Sequence, residues 1–265
     1  MPKISVLMGI YNCAGTLREA VDCIRNQTVS DWELILCDDG SSDNTYQIAR
    51  ELAAEDNRIV LLKNEKNLGL NKTLNRCLAA ATGEFVARMD GDDLCSPVRF
   101  EKELALFDQH PDAALVSCSM DCFDESGTFG RVLYQDAPQP EDFLSGSQFC
   151  HAASMMRRSV LEELGGYSTA KHTMRVEDYD LWVRMYAAGY RGYNLPDILY
   201  SMRDDRNAIR RRKFRYRLNE AGVVLRLGAA FSFGLKTYFW AAIPVLKGCC
   251  PTFLYKLLHQ RHLSR

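Results

Sequence analysis

The sequence predicts an α/β fold in which a mostly parallel central sheet is flanked by helices. Three observations predict it. Four strand-length runs alternate with three helical ones between residues 3 and 88, and this alternation, with short polar joints, marks strand–helix–strand units wound into a parallel sheet. The runs are almost continuously apolar, as buried parallel strands are. Polar and acidic clusters follow the carboxyl ends of three of the four strands, where such sheets bind ligands.

In order, Lys3 to Ile10 is the first strand and Tyr11-Asn12 opens a loop. Ala14 to Arg25 is a helix with Leu17, Val21 and Ile24 on one face. Trp32 to Cys37 is the second strand, ending in Asp38-Asp39-Gly40-Ser41-Ser42-Asp43, a turn with helix-capping residues. Thr45 to Ala54 is a helix and Arg58 to Leu62 the third strand. Asn67-Leu68-Gly69 is a loop, Leu70 to Ala81 a helix, and Glu84 to Arg88 the fourth strand. The second half is less regular. Pro97 to Gln109 reads as a helix, Ala113 to Met120 as a strand, and Cys122 to Tyr134 as a hairpin turning at Glu125-Ser126-Gly127. Gln148 to Met156 is strand-like and contains His151. A short helix precedes a turn at Leu164-Gly165-Gly166-Tyr167. A helix opens at Arg175 and runs to Ala188 with Gly189 as its cap, and Tyr190 to Tyr200 is strand and loop around Pro196.

The net charge of -1 hides an asymmetry. Residues 206–265 hold 13 Lys/Arg and one acid, Glu220, leaving 20 Lys/Arg and 33 Asp/Glu in residues 1–205. An acidic body, 1–205, thus carries a basic and apolar helical extension, 206–265, which suggests an anionic partner for the extension. Its apolar stretch is broken by Arg226, Lys236, Lys247 and Lys256 into runs short of the roughly 18–20 residues of a membrane span. Lys236 and Lys247 would share a helix face, although Pro244 and Gly248 would interrupt a single helix. The extension reads either as helices lying in the inner membrane interface or as a packing element. An acidic body without a base-reading module argues against nucleic acid. Ten cysteines without zinc-ligand spacing, and an N-terminus without a signal-peptide pattern, point to a reducing cytoplasmic compartment.

The chemistry concentrates in Arg88-Met89-Asp90-Gly91-Asp92-Asp93. Three carboxylates at a strand end need a cation or donors to offset their charge. A hard divalent ion with oxygen ligands, Mg²⁺ or Mn²⁺, is the matching partner, with a diphosphate on its open side.

Five pieces in order then resemble a known family: Ile4 to Asn12, Glu33 to Asp43, Asn67-Leu68-Gly69, Arg88 to Asp93, and Glu177-Asp178-Tyr179-Asp180-Leu181-Trp182. Over residues 3–205 the chain resembles a family 2 glycosyltransferase of the GT-A fold, a Rossmann-like sheet, of the type found in bacterial polysaccharide assembly. The resemblance implies a nucleotide-sugar donor carrying UDP or dTDP and a glycan or lipid-linked acceptor. It implies that Tyr11 stacks on the base and Asp39 accepts its ring N–H. Asn67, Gly69 and Arg88 would line the donor pocket, with Asp90 near the ribose. Asp92, with Asp90, would hold the metal, and Asp178 would be the general base. His151, Glu177 and Trp182 fall on the acceptor side, although Trp182 could equally fill the core and His151 could be structural. The Gln-x-x-Arg-Trp mark of processive relatives is missing, which argues for adding one sugar or few. Two rivals stand beside this reading. One is a sugar nucleotidyltransferase, whose Gly-rich triphosphate loop is not found at Gly9-Ile10-Tyr11-Asn12-Cys13. The other is a non-catalytic scaffold.

Overall fold

The computed structural model describes residues 2–204 and 213–249. The first half follows the expected winding: β1 (Ile4–Ile10), α1 (Leu17–Arg25), β2 (Trp32–Asp38), α2 (Thr45–Glu55), β3 (Ile59–Lys63), α3 (Leu70–Ala80) and β4 (Phe85–Arg88). Strand β1 is flanked by β2 and β4, both parallel to it, and β3 adds beyond β2. With neighbours on both edges and helices on both faces, six of the seven β1 residues are fully buried. Its continuous apolar run reflects this. Helix α1 buries Leu17, Ala20, Val21 and Ile24, one stripe at helical spacing.

The second half departs from an all-parallel sheet. It contains β5 (Leu94–Cys95), α4 (Arg99–Gln109), β6 (Ala113–Asp124), β7 (Gly127–Val132), β8 (Met155–Arg157), α5 (Arg158–Glu163), α6 (Glu177–Ala187) and β9 (Arg191–Arg203). The strand order is β3-β2-β1-β4-β8-β6-β9-β5, with β7 paired to β6. Strand β8 inserts antiparallel between β4 and β6, whereas β6 and β9 are parallel. The expected break near residue 121 does not occur: β6 is one strand of 12 residues, bent by a register shift at Cys122/Phe123. Only Met155 and Met156, at the end of the strand-like Gln148–Met156 run, pair in the sheet, together with Arg157 just beyond it, and His151 lies in a turn. Helix α6 starts at Glu177 rather than Arg175, because Arg175 has a left-handed backbone (φ 67°) that no α-helix accepts. Strand β9 continues past Pro196 to Arg203.

Two helices follow, α7 (Phe214–Phe231) and α8 (Leu235–Cys249). Helix α7 packs on the body: Ala221, Val223, Val224 and Leu227 join the apolar cluster that contains Leu7, Val86, Leu181 and Trp182. Helix α8 is continuous through Pro244 and Gly248, contrary to the expected interruption. Pro244 is buried, and Gly248 lies so close to Phe214 that a Cβ there would meet its ring at 2.8 Å. Packing outweighs the lost hydrogen bond of Pro244. Among the described residues no helix is long and apolar enough to cross a membrane. The nine described cysteines are free thiols.

An ion pair lies in the core beside the acidic loop. On α4, Arg99 and Glu103 are both fully buried, with Nε and Oε1 2.9 Å apart. Burial pushes the Glu103 carboxyl up to about 7 despite the Arg99 charge. The guanidinium carbon also sits 5.4 Å from the Tyr200 ring centre.

Candidate active site

The carboxyl ends of β1, β2 and β4 set the floor of the site. After β1 the chain turns through Asn12, whose backbone is left-handed (φ 50°), a conformation that Asn tolerates better than most residues. The Asn12 amide N–H donates to Ser41 Oγ at 3.0 Å, and its side-chain oxygen accepts the Ser42 N–H at 2.9 Å. The loops after β1 and β2 are thereby tied together, and Tyr11 is left 49% exposed. After β2, Asp39 is nearly buried. One of its oxygens accepts the Leu68 N–H and the Asn64 side-chain amide, each at 2.8 Å, and the other accepts the Gly69 N–H at 2.9 Å. Gly40 permits this approach: its φ is +72°, and a Cβ there would lie 2.7 Å from the Lys66 carbonyl carbon. Tyr11, Asp39, Asn67, Gly69 and Glu177 therefore line one pocket of about 480 Å³. Asp39 is locked by the Asn67–Gly69 loop, so its first structural task is to shape that pocket.

The acidic loop lies beside it. Arg88 is buried, donates to the Met89 carbonyl at 2.7 Å and pairs with Asp90 at 2.8 Å. Asp92 faces outward; partial burial, then the Asp90 charge, raises its carboxyl above the usual range. Asp93 points inward. Its oxygens accept the Tyr200 hydroxyl and the Arg203 N–H, both at 2.8 Å. The Tyr200 oxygen also accepts the Asp90 N–H at 3.2 Å, and Arg203 Nε donates to the Asp92 carbonyl at 2.8 Å. The end of β9 thus braces the loop on both sides.

Among the described residues no group of three or more His, Cys, Asp or Glu side chains is arranged to hold a metal. The fit is of another kind. Arg88 engages Asp90, while the outward Asp92 carboxylate sits against a second negative charge. Two hard oxygen donors with open positions around them suit Mg²⁺ or Mn²⁺ shared with a substrate diphosphate.

Asp178 stands in the first turn of α6, partly buried. Burial, then the neighbouring Glu177 charge, raises its carboxyl to about 6, and its own and the Tyr179 backbone N–H groups hold it from rising further. Arg88 acts electrostatically on Asp178, His151 and Tyr167 alike, so these groups belong to one cluster. His151 Nε2 and the Tyr167 hydroxyl share a hydrogen bond of 3.0 Å. Burial, then the Arg88 charge, lowers the His151 pKa well below its usual value, keeping the ring neutral. Trp182 is fully buried against Phe149 and His151. It fills the core.

The structure adds residues that sequence reasoning missed: Tyr200 and Arg203 behind the acidic loop, Tyr167 beside Arg88, and Met174, Arg175 and Tyr216 in the pocket lining. The Gly165-Gly166-Tyr167 turn was visible as a turn only. Nothing local in the sequence marks the others.

Comparison with known proteins agrees with this geometry. The profile described as "Glycosyl transferase family 2" matches residues 5–165. The "Putative glycosyltransferase EpsE" of Bacillus subtilis (strain 168) is 41% identical over 263 residues, covering 99% of this chain and 95% of that protein. Two solved structures share the fold. One is a mannosyltransferase, PcManGT, from Pyrobaculum calidifontis in complex with GDP-Man and Mn²⁺ (TM-score 0.65, 22% identity, 98% of this chain and 69% of that one). The other is S. aureus TarS 1-349 in complex with UDP-GlcNAc (TM-score 0.68, 18% identity, 93% and 71%). The mixed sheet, the acidic loop closing β4 and the family match lead to one conclusion: this chain belongs to glycosyltransferase family 2, on the GT-A fold.

Proposed function

We propose that the protein is an inverting, metal-dependent transferase. It moves one sugar from a UDP- or dTDP-linked donor to a hydroxyl of a glycan or lipid-linked acceptor in surface polysaccharide synthesis. The observation that carries this reading is the pocket lined by Tyr11, Asp39 and Glu177, the residue before Asp178, at the same sheet edge as the Arg88–Asp90 pair of the acidic loop. The GDP-Man of PcManGT and the UDP-GlcNAc of TarS support a nucleotide-sugar donor, and the Mn²⁺ of PcManGT supports a metal. Tyr11 offers a ring face to the base. Asp178 would act as the base that takes the acceptor hydroxyl proton as that oxygen attacks the anomeric carbon, and a carboxyl of pKa about 6 suits the task near neutral pH. A single displacement needs no enzyme nucleophile and inverts the centre. When bound at Asp92 and Asp90, a divalent ion would stabilise the charge developing on the leaving diphosphate.

Calorimetric titration with nucleotides tests the donor class. Micromolar binding of UDP or dTDP that requires Mn²⁺, and that Asp92→Asn weakens at least about tenfold, is expected. Binding that ignores both the metal and Asp92 would remove the ion from the scheme.

The proposed place of work is the cytoplasmic face of the inner membrane. Helix α8 turns an apolar stripe outward, with Leu235 86%, Tyr238 67%, Phe239 67% and Leu246 66% exposed. Lys236 and Lys247 border it, although Lys236 also meets Glu141 at 2.7 Å. An apolar stripe edged by cations fits an anionic lipid surface. The protein is expected to sediment with phosphatidylglycerol vesicles, and Phe239→Ser with Leu246→Ser to abolish this. Equal binding to phosphatidylcholine, or none to either, would count against it.

A further inference from the structure

Part of the lining of the nucleotide pocket comes from residues outside the stretch that matches the family profile: Met174 and Arg175 from the loop before α6, and Tyr216 from α7. We infer that the C-terminal extension completes this pocket and that Arg175 and Tyr216 form a cationic outer wall that binds the phosphates of a nucleoside diphosphate. The inference rests on the donor reading above and assigns part of that donor's recognition to the extension.

The backbone supports it first. Arg175 is one of three non-glycine residues with positive φ among those described, and it is neither Asn nor a capping residue. Such a conformation persists only where the surroundings over-determine it. Here they do. The Thr173 hydroxyl is buried and donates to Ser168 Oγ at 3.0 Å, while the Asn71 side chain donates to the Ser168 carbonyl at 2.7 Å. From the other side, Asn219 of α7 donates its side-chain amide to the Met174 carbonyl at 2.9 Å. Those bonds hold the two residues before the bend, the Val176 N–H just after it donates to the Thr173 carbonyl at 3.1 Å, and Arg175 between them is part of the pocket lining.

The same face of α7 carries the aromatic wall. Tyr216 lies one turn before Asn219, so the helix that clamps the loop also sets the ring into the pocket. Arg215 donates to the Tyr216 hydroxyl at 2.8 Å, and its guanidinium carbon lies 4.8 Å from the ring centre. The charges of Lys213 and Arg175 act on the same phenol.

Charge accounting then points to the ligand. Of the acids in the lining, Asp39 already accepts three hydrogen bonds, and Glu177 lies at the base of α6. Arg175 makes no ion pair among the described residues. An exposed guanidinium with no ion-pair partner among the described residues, lining a nucleotide-sized pocket beside the Tyr216 ring that Arg215 also contacts, is suited to phosphate oxygens.

Arg175→Gly separates a binding role from a structural one, because glycine accepts the positive φ without strain. The full chain and its variants would be titrated with UDP, dTDP and GDP in Mn²⁺, and compared on whichever nucleotide the wild type binds most tightly. Arg175→Gly is expected to melt no lower than wild type while weakening binding by about tenfold or more. Tyr216→Ala should also weaken it. Unchanged affinity in Arg175→Gly, with the wild type binding normally, would overturn the wall while leaving the donor reading intact. Binding of none of the three nucleotides by the wild type would defeat the donor reading itself.

Discussion

Asp178→Asn should lower kcat by about 10²–10⁴-fold, the usual worth of a positioned base, and leave nucleotide affinity close to wild type. The side chain keeps its shape and its place in the first turn of α6 but loses the ability to accept a proton. The wild-type pH profile supplies an independent check. A carboxyl raised to about 6 by burial and by Glu177 is protonated as the pH falls through that value, so kcat should decline on an acidic limb near pH 6. The variant should lack that limb. A variant that turns over at the wild-type rate would remove Asp178 from the chemistry, and one that also loses nucleotide binding would assign it to the pocket.

The second large effect is on stability. Arg99→Ala should destabilise the fold by about 3–5 kcal/mol, because it leaves Glu103 buried without its partner. Urea unfolding measures this. The pH dependence has a definite sign. The Glu103 carboxyl is raised to about 7 from its ordinary 4.5. Its contribution is therefore complete below about 4.5 and is lost as the pH rises through 7. Without Arg99 the carboxyl is held still higher, so the variant's deficit should be smaller near pH 5 than near pH 8. Arg99→Met with Glu103→Leu should recover most of the loss, since neither charge then needs solvation. A deficit independent of pH would point to lost packing against Tyr200 and Phe100 rather than to a stranded carboxyl.

The first half of the fold was legible because its signals are local. Apolar strand runs, helical stripes such as Leu17, Val21 and Ile24, and turn residues such as Gly40 each depend on a few neighbours in sequence. The pocket residues Tyr11, Asp39, Asn67 and Gly69 follow strand ends or loops and come together as expected. The second half depends on distant partners. Strand β8 has three paired residues, too few for a periodic pattern, and its place between β4 and β6 follows from pairing alone. Trp182 sits next to the Glu177-Asp178 pair proposed for the reaction, yet α6 turns it inward, and helical phase relative to the body cannot be read from the sequence around it. Arg175 opened the predicted helix two residues too early, because its left-handed backbone is imposed by contacts to Asn219 and Ser168 rather than by its own preference. Tyr200 and Arg203 carried no local mark of their bonds to the acidic loop.

That last brace bears on how the molecule comes into being. The Tyr200 and Arg203 bonds to Asp93 span 107 and 110 positions of chain. During synthesis β1 to β4 can pair as each emerges, but the acidic loop stays without its supports until residue 203 has left the ribosome. Closing so long a loop is entropically costly and slow. The early sheet therefore forms with its carboxylates unsupported, and the site is assembled last, as a property of the finished body rather than of the nascent one.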